Sequence, residues 1–178
     1  LVQACVEQGT HYTDITGENH WVRTLIDKHH ENASLKGVRI VPSCGYDSIP
    51  SDIGTFFAVS QFNKPVKRVE LFQEMQGGAS GGTIETAFSM GKLSKEMRDP
   101  FLLNPENSST EEQRKYSKDM MRIEKIEELD GWSGMFVMAA GNTRVVRRTA
   151  ALMEQNQNSY GANFTFGEYG LHKTKKLA

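Results

Sequence analysis

The stretch that most constrains this chain is Val38–Asp52, Val-Arg-Ile-Val-Pro-Ser-Cys-Gly-Tyr-Asp-Ser-Ile-Pro-Ser-Asp. Val38, Ile40 and Val41 form a short β-branched run, Pro42 and Gly45 end it, and Ser48 stands where a helix would be capped. Pro50 falls in the first helical turn, where a missing N–H costs nothing, and Asp52 suits the positive end of a helix. A strand that feeds a helix N-terminus through a tight turn is where α/β proteins collect ligands, because unpaired amides gather there.

The residues before this corner alternate helix and strand. Leu1 to Gln8 reads as a helix tail stopped by Gly9, and His11 to Ile15 as a strand ending at Thr16-Gly17-Glu18. Asn19 to Leu35 is an amphipathic helix, with Trp21, Val22, Leu25 and Ile26 at helical spacing. With the Val38 strand this makes a β-α-β unit of about thirty residues, the size of a right-handed crossover between parallel strands. Parallel sheets need cover on both faces and seldom have only two strands. The expectation is therefore a fragment, with more sheet before Leu1.

The residues after the corner read differently. A helix from Ser48 to about Phe62 would turn Ile49, Ile53, Phe56, Phe57 and Ser60 inward. Val66 to Gln76 alternates, with Val69, Leu71 and Met75 on one face, as in an antiparallel sheet with one wet side. Gly77 to Gly82 is a loop before a helix from Thr83 to about Met97. Thr110 to Lys118 is charged and either helical or mobile, Trp132 to Ala140 is strand or helix, Asn142 to Gln155 is helix, and Tyr160 to Tyr169 is an aromatic strand. The fold class is α/β.

A formal net charge of −1 gives no electrostatic case for a nucleic-acid partner. Two cysteines, Cys5 and Cys44, are too few for a disulfide scaffold and make an intracellular, reducing compartment the default. No apolar run approaches the roughly 20 residues of a membrane span. No metal site is expected.

Several motifs carry candidate chemistry. Thr16, Gly17 and Glu18 lie at a strand's C-terminal edge, where Gly17 would let a ligand approach the backbone; a plain β–α turn is the alternative. Cys44 precedes a helix N-terminus and could be a reactive thiol, or inert packing. Gly77 and Gly82 imitate the spacing of a phosphate loop, but Thr83-Ile84 stand where its lysine would be. Ser80 and Thr83 are then hydrogen-bonding groups of a substrate-side loop, or part of a flexible connection. Arg144 and Arg148 share a helix face and could hold a carboxylate, phosphate or pantetheine-type group, or form a solvated face.

Taken together, Gly9-Thr-His-Tyr12, Asp14-Ile-Thr-Gly-Glu18, Gly37 to Pro42, Cys44 to Asp52, Ser80 to Thr83, Asn142 to Arg148, Tyr160-Gly161 and Phe166-Gly-Glu-Tyr169 resemble the saccharopine dehydrogenase-like oxidoreductase family. Within it, the likeness is to the eukaryotic branch, whose bacterial relatives include trans-acting enoyl reductases of lipid synthesis. The resemblance implies that residues 1–55 are the C-terminal part of a Rossmann-like dinucleotide-binding domain. Residues 56–178 would be an α+β substrate and dimerisation domain with a mixed or antiparallel sheet, cut short at its C-terminal end. It implies NADP or NAD as cofactor, with Thr16, Gly17, Glu18, Cys44, Gly45 and Ser48 around it, and hydride transfer to a small-molecule or lipid substrate such as an enoyl compound. Asp47, Ser80, Thr83 and Arg144 are the candidates for catalytic groups. The family's Gly-rich phosphate loop has no counterpart in this chain, so the expectation is an inactive fragment of a longer enzyme. The alternative is a catalytically silent scaffold on a lipid droplet, mitochondrion or other membrane, and a homodimer is within the same expectation.

Overall fold

In the computed structural model, the structure describes residues 1–74, 98–118 and 123–175. The expected Gly77–Gly82 loop, the helix after it, and Ser80 and Thr83 lie outside the described residues.

The chain opens with α1 (Val2–Gln8). Gly9 stops it in the left-handed conformation, φ 70°, its N–H meeting the carbonyls of Cys5 and Val6. Strand β1 (Tyr12–Thr13), helix α2 (Asn19–Leu35) and strand β2 (Ile40–Val41) follow. The two strands pair in parallel, Tyr12 opposite Ile40 and Thr13 opposite Val41, so the crossover unit forms as its spacing predicts. Its interior is small: Val6, Ala33 and Val38 are buried together against Ile40. Val41 stays 48% exposed, on a strand with β1 as its only described neighbour.

Helix α3 (Ile49–Ser60) leaves the corner with Pro50 in its first turn. Beyond it, β3 (Arg68–Gln73), α4 (Glu111–Tyr116), β4 (Glu124–Ile126), a short 3₁₀ turn at Glu127–Leu129, β5 (Gly131–Gly134), α5 (Ala139–Gln155) and β6 (Thr165–His172) complete the described elements. The four strands form a mixed sheet in the order β3-β6-β5-β4. β3 and β6 run parallel, Val69 opposite Phe166, while β5 is antiparallel to both β6 and β4. The α/β class holds, but the antiparallel setting expected for β3 does not. Alternation reports that one face is buried and carries no information on strand direction. β3 and β6 are joined by a long connection, which permits parallel pairing.

The main core lies between this sheet and α5. Val146, Tyr160, Phe164 and Phe166 are its buried residues, with Val69, Leu71, Ala150 and Met153 packed around them. Val146, Ala150 and Met153 recur at the spacing of one helix face. Tyr160 meets Phe164 edge to face at 5.1 Å, and Tyr169 stacks on Phe72 at 5.4 Å.

The charged stretch around Thr110 is ordered by a capping box. The Thr110 hydroxyl accepts from the Gln113 N–H, and the Gln113 side chain accepts from the Thr110 N–H. Gln113 also donates to the Phe164 carbonyl at 3.1 Å, fastening α4 to the core.

The inner face expected for α3 is reversed. Ile49, Ile53, Phe56 and Phe57 are 38–64% exposed, whereas Ser51 and Thr55 are buried. The apolar stripe was legible; which side faces the rest of the molecule depends on the partner, and here the partner is a polar stretch of α5.

Candidate functional site

The candidate site is the corner where β1 and β2 end. Its organiser is Asp14, a residue the motif reading passed over as part of a strand. Its carboxylate accepts from the N–H groups of Thr16 and Ser43, both at 3.0 Å, and from the Tyr12 hydroxyl at 2.8 Å. Its carbonyl accepts from the Cys44 N–H at 2.7 Å. One side chain thereby ties both strand ends together. The available signal was an aspartate two residues before Thr16 at a strand end, the arrangement of an Asx turn. The hydrogen bond to Asp14 raises the Tyr12 phenol above its ordinary pKa.

The turn after β2 is tight. Ser43 is buried and left-handed, φ 62°, an uncommon conformation for a residue with a side chain and one that concentrates at functional turns. Gly45 passes so close to Ile15 that a Cβ would stand 3.1 Å from the Ile15 Cβ. The glycine serves the approach of the two loops to one another.

The residues predicted for the cofactor divide into two groups. Thr16, Gly17, Glu18, Cys44 and Gly45 are at the corner and at least partly accessible. The Thr16 hydroxyl accepts from the Glu18 N–H at 3.2 Å and shapes the entry to α2. The Cys44 thiol points back to the Val41 carbonyl at 3.3 Å. Ser48 turns away. It occupies the N-cap position of α3, but its side chain makes no cap bond and donates instead to the Asn142 Oδ1 at 3.1 Å. Asp47 is exposed beside Tyr46, which is 89% exposed.

Arg144 is not at the corner. It is buried and donates to the Thr143 hydroxyl at 3.1 Å and to the Arg98 carbonyl at 2.9 Å. Arg147 donates to the carbonyls of Pro100 and Phe166, and Arg148 to that of Leu103. These side chains clamp the 98–104 segment onto α5, satisfying carbonyls that a loop otherwise leaves unpaired. Burial and the neighbouring Arg23 charge lower the Arg148 pKa to about 10.

A polar network joins the corner to the second sheet. From Ser48 it runs through Asn142 to Ser51 and Glu168: Asn142 Nδ2 donates to Ser51 Oγ at 3.4 Å and to Glu168 Oε1 at 3.2 Å, and Ser51 Oγ donates to Glu168 Oε1 at 2.8 Å. Nearby, Thr149 donates to Asp52 at 2.9 Å. Asn19, at the start of α2, donates to the Gly141 carbonyl at 3.0 Å.

Beside the corner opens an apolar groove of about 460 Å³, between α2, β2, the start of α3 and α5. Val22, Leu25, Ile26 and Leu152 are among its apolar lining, and His29, His30, Arg39, Asp52, Arg148 and Thr149 among its polar groups. Burial pushes the Asp52 carboxyl up to about 6, with the Thr149 hydrogen bond pulling the other way. In the aromatic core, its own burial, helped by the Asp52 charge, pushes the Tyr160 phenol up to about 12.

The parallel-strand corner with its crossover helix, followed by a mixed sheet, places the chain in the α/β class. A Mycobacterium tuberculosis protein provisionally named a trans-acting enoyl reductase is 35% identical over 186 residues, covering 94% of this chain and 43% of that protein. Trans-acting enoyl reductases of Mycobacterium ulcerans and Mycobacterium bovis are each 34% identical over the same shares. The chain thus spans less than half the length of the curated relatives it matches. No family model and no solved structure matches it. These findings overturn the assignment to the saccharopine dehydrogenase-like family: the relatives carry the enoyl reductase name. Part of that assignment rested on the strand ends, turn and helix start of the corner, residues that such a corner demands whatever the family.

Proposed function

We propose that the protein to which this chain belongs is a nicotinamide-dependent reductase of an enoyl substrate, and that this chain supplies the ring end of its cofactor site together with part of the substrate region. The observation that carries the reading is the identity of about a third to trans-acting enoyl reductases, maintained over 94% of the chain.

The residues at the corner fit the ring end of such a cofactor. They offer accessible backbone at Gly17 and Gly45 and an apolar surface at Ile15 and Tyr46, exposed at 78% and 89%. A flat heteroaromatic ring lies well on such a surface. No Gly-x-Gly-x-x-Gly loop occurs in the sequence, so the phosphates are not held by that motif here. When bound, the cofactor supplies the hydride. This chain's residues orient and shield: Asp14 holds the two strand ends at fixed separation, and the apolar groove beside them suits an acyl chain. NADP and NAD are both compatible with these residues.

The test uses the full-length protein. NADPH and NADH are titrated by fluorescence, and oxidation is then followed with an enoyl thioester. Saturable binding and substrate-dependent oxidation are expected, both weakened by Asp14→Ala, which frees the strand ends. Absence of nicotinamide binding at millimolar concentration would refute the reading.

A further inference from the structure

Helix α5 contributes a cation to the wall of the groove beside the corner. Arg148 is mostly buried and donates from Nη1 to the Leu103 carbonyl. Its Nε and Nη2 have no acceptor among the described residues, yet neither is sealed from water. These two nitrogens form one edge of the guanidinium. With the same edge Arg23 holds Asp27 and Arg68 holds Glu70. No carboxylate does this for Arg148 among the described residues. Burial and the neighbouring Arg23 charge hold its pKa down at about 10. A cation drawn out of water without an anion is costly, and an anion against the open edge offsets both effects.

The rest of the wall sets what that anion is attached to. The groove holds about 460 Å³, and its wall runs from Val22 to Ala33 along α2, about 16 Å of helix. Two arginines, Arg39 and Arg148, stand in this wall against a single acid, Asp52, which accepts from Thr149. His29 and His30 add no negative charge. The balance favours a ligand with one negative charge. A dianion would face Asp52 with twice the charge, and a cation would meet both arginines. A carboxylate matches the planar fork of one guanidinium.

We propose that the groove binds a long-chain monocarboxylic acid, its carboxylate on the open edge of Arg148 and its alkyl chain against Val22, Leu25, Ile26 and Leu152. This goes beyond the reductase reading, in which the groove takes a neutral acyl chain. A free acid binds without cofactor or turnover, so either reading can fail while the other stands.

The test is calorimetric titration of the full-length protein, without cofactor, with dodecanoate below its micelle-forming concentration. Dodecanol has the same tail without the charge, and butyrate the same head without the tail. Dodecanoate is expected to bind saturably, dodecanol at least tenfold more weakly, and butyrate not measurably at millimolar concentration. Arg148→Gln keeps a donor for the Leu103 carbonyl and removes the charge. It should weaken dodecanoate at least tenfold and leave dodecanol unchanged, with the circular dichroism spectrum retained. Leu25→Trp fills the groove and should weaken both. If Arg148→Gln does not fold, the dodecanoate–dodecanol comparison on the unaltered protein decides. Absence of dodecanoate binding, equal binding of the acid and the alcohol, or dodecanoate binding unchanged in either folded variant overturns the proposal.

Discussion

Helix α5 has two interiors packed against it, and they are built on opposite principles. On the β6 side, Val146, Ala150 and Met153 meet Tyr160, Phe164 and Phe166 in an aromatic core. On the α3 side, Asn142 and Thr149 meet Ser48, Ser51 and Asp52 through hydrogen bonds. The aromatic side depends on area and shape, where a lost methylene leaves a void but no unmet polar group. The α3 side depends on every partner being present, because each buried polar atom left alone incurs its desolvation cost. The lesson is that one helix can serve as a core element and as the link between a ligand corner and a sheet.

The comparison can be broken most directly at Phe166, which is 1% exposed. Phe166→Ala should cost about 3–5 kcal/mol in urea unfolding, the range for a buried aromatic truncated to a methyl. A cost under about 1 kcal/mol would remove the aromatic core from its central place.

Next in size is Asp52, where the polar side carries its own pH dependence. Burial raises the folded pKa from 3.8 to about 6. The folded state therefore holds a proton that the unfolded chain has released. The stabilisation from that proton is complete below about pH 4 and is lost as pH rises through about 6. Asp52→Asn should stabilise the chain by about 2 kcal/mol at pH 7 and leave it nearly unchanged at pH 4, since a shift of one unit corresponds to about 1.4 kcal/mol. An equal gain at both pH values would show that charge burial is not the cause.

Ser51→Ala sharpens the same side without a charge change. It removes one donor from Glu168 and one acceptor from Asn142, and should cost about 1–2 kcal/mol by denaturant titration. Additivity with Asn142→Ala would show that the two side chains do not act as a network; a smaller combined loss is expected.

The smallest effect belongs to the outward face of α3. Phe57 is 64% exposed, and Phe57→Ala should alter stability by no more than about 0.5 kcal/mol in the isolated chain. A loss of 2 kcal/mol or more would mean that this face is covered in solution.

Much of the local structure was legible. The α2 boundaries, the Gly9 stop, Pro50 in the first turn of α3 and the parallel pairing of β1 and β2 all follow from periodicity and turn chemistry. The site was legible in part. Thr16 to Glu18 and Cys44 to Gly45 do converge at the corner, yet Asp14, which joins them, looked like one more strand residue. Arg144 read as either a ligand-holding group or a solvated helix face, because charge and helix phase say nothing of what lies opposite; its guanidinium meets the Arg98 carbonyl. The family assignment is overturned by the relatives, which carry the enoyl reductase name.

By itself, the sequence determined where chain direction changes and which residues share a helix or strand face, because glycine, proline and apolar period act within a few residues. Only the tertiary structure decided which face is buried, which way β3 runs, and that Ser48 turns from its helix cap to Asn142. Those outcomes rest on partners about a hundred residues away in sequence, and burial and hydrogen bonding are settled by whichever partner arrives.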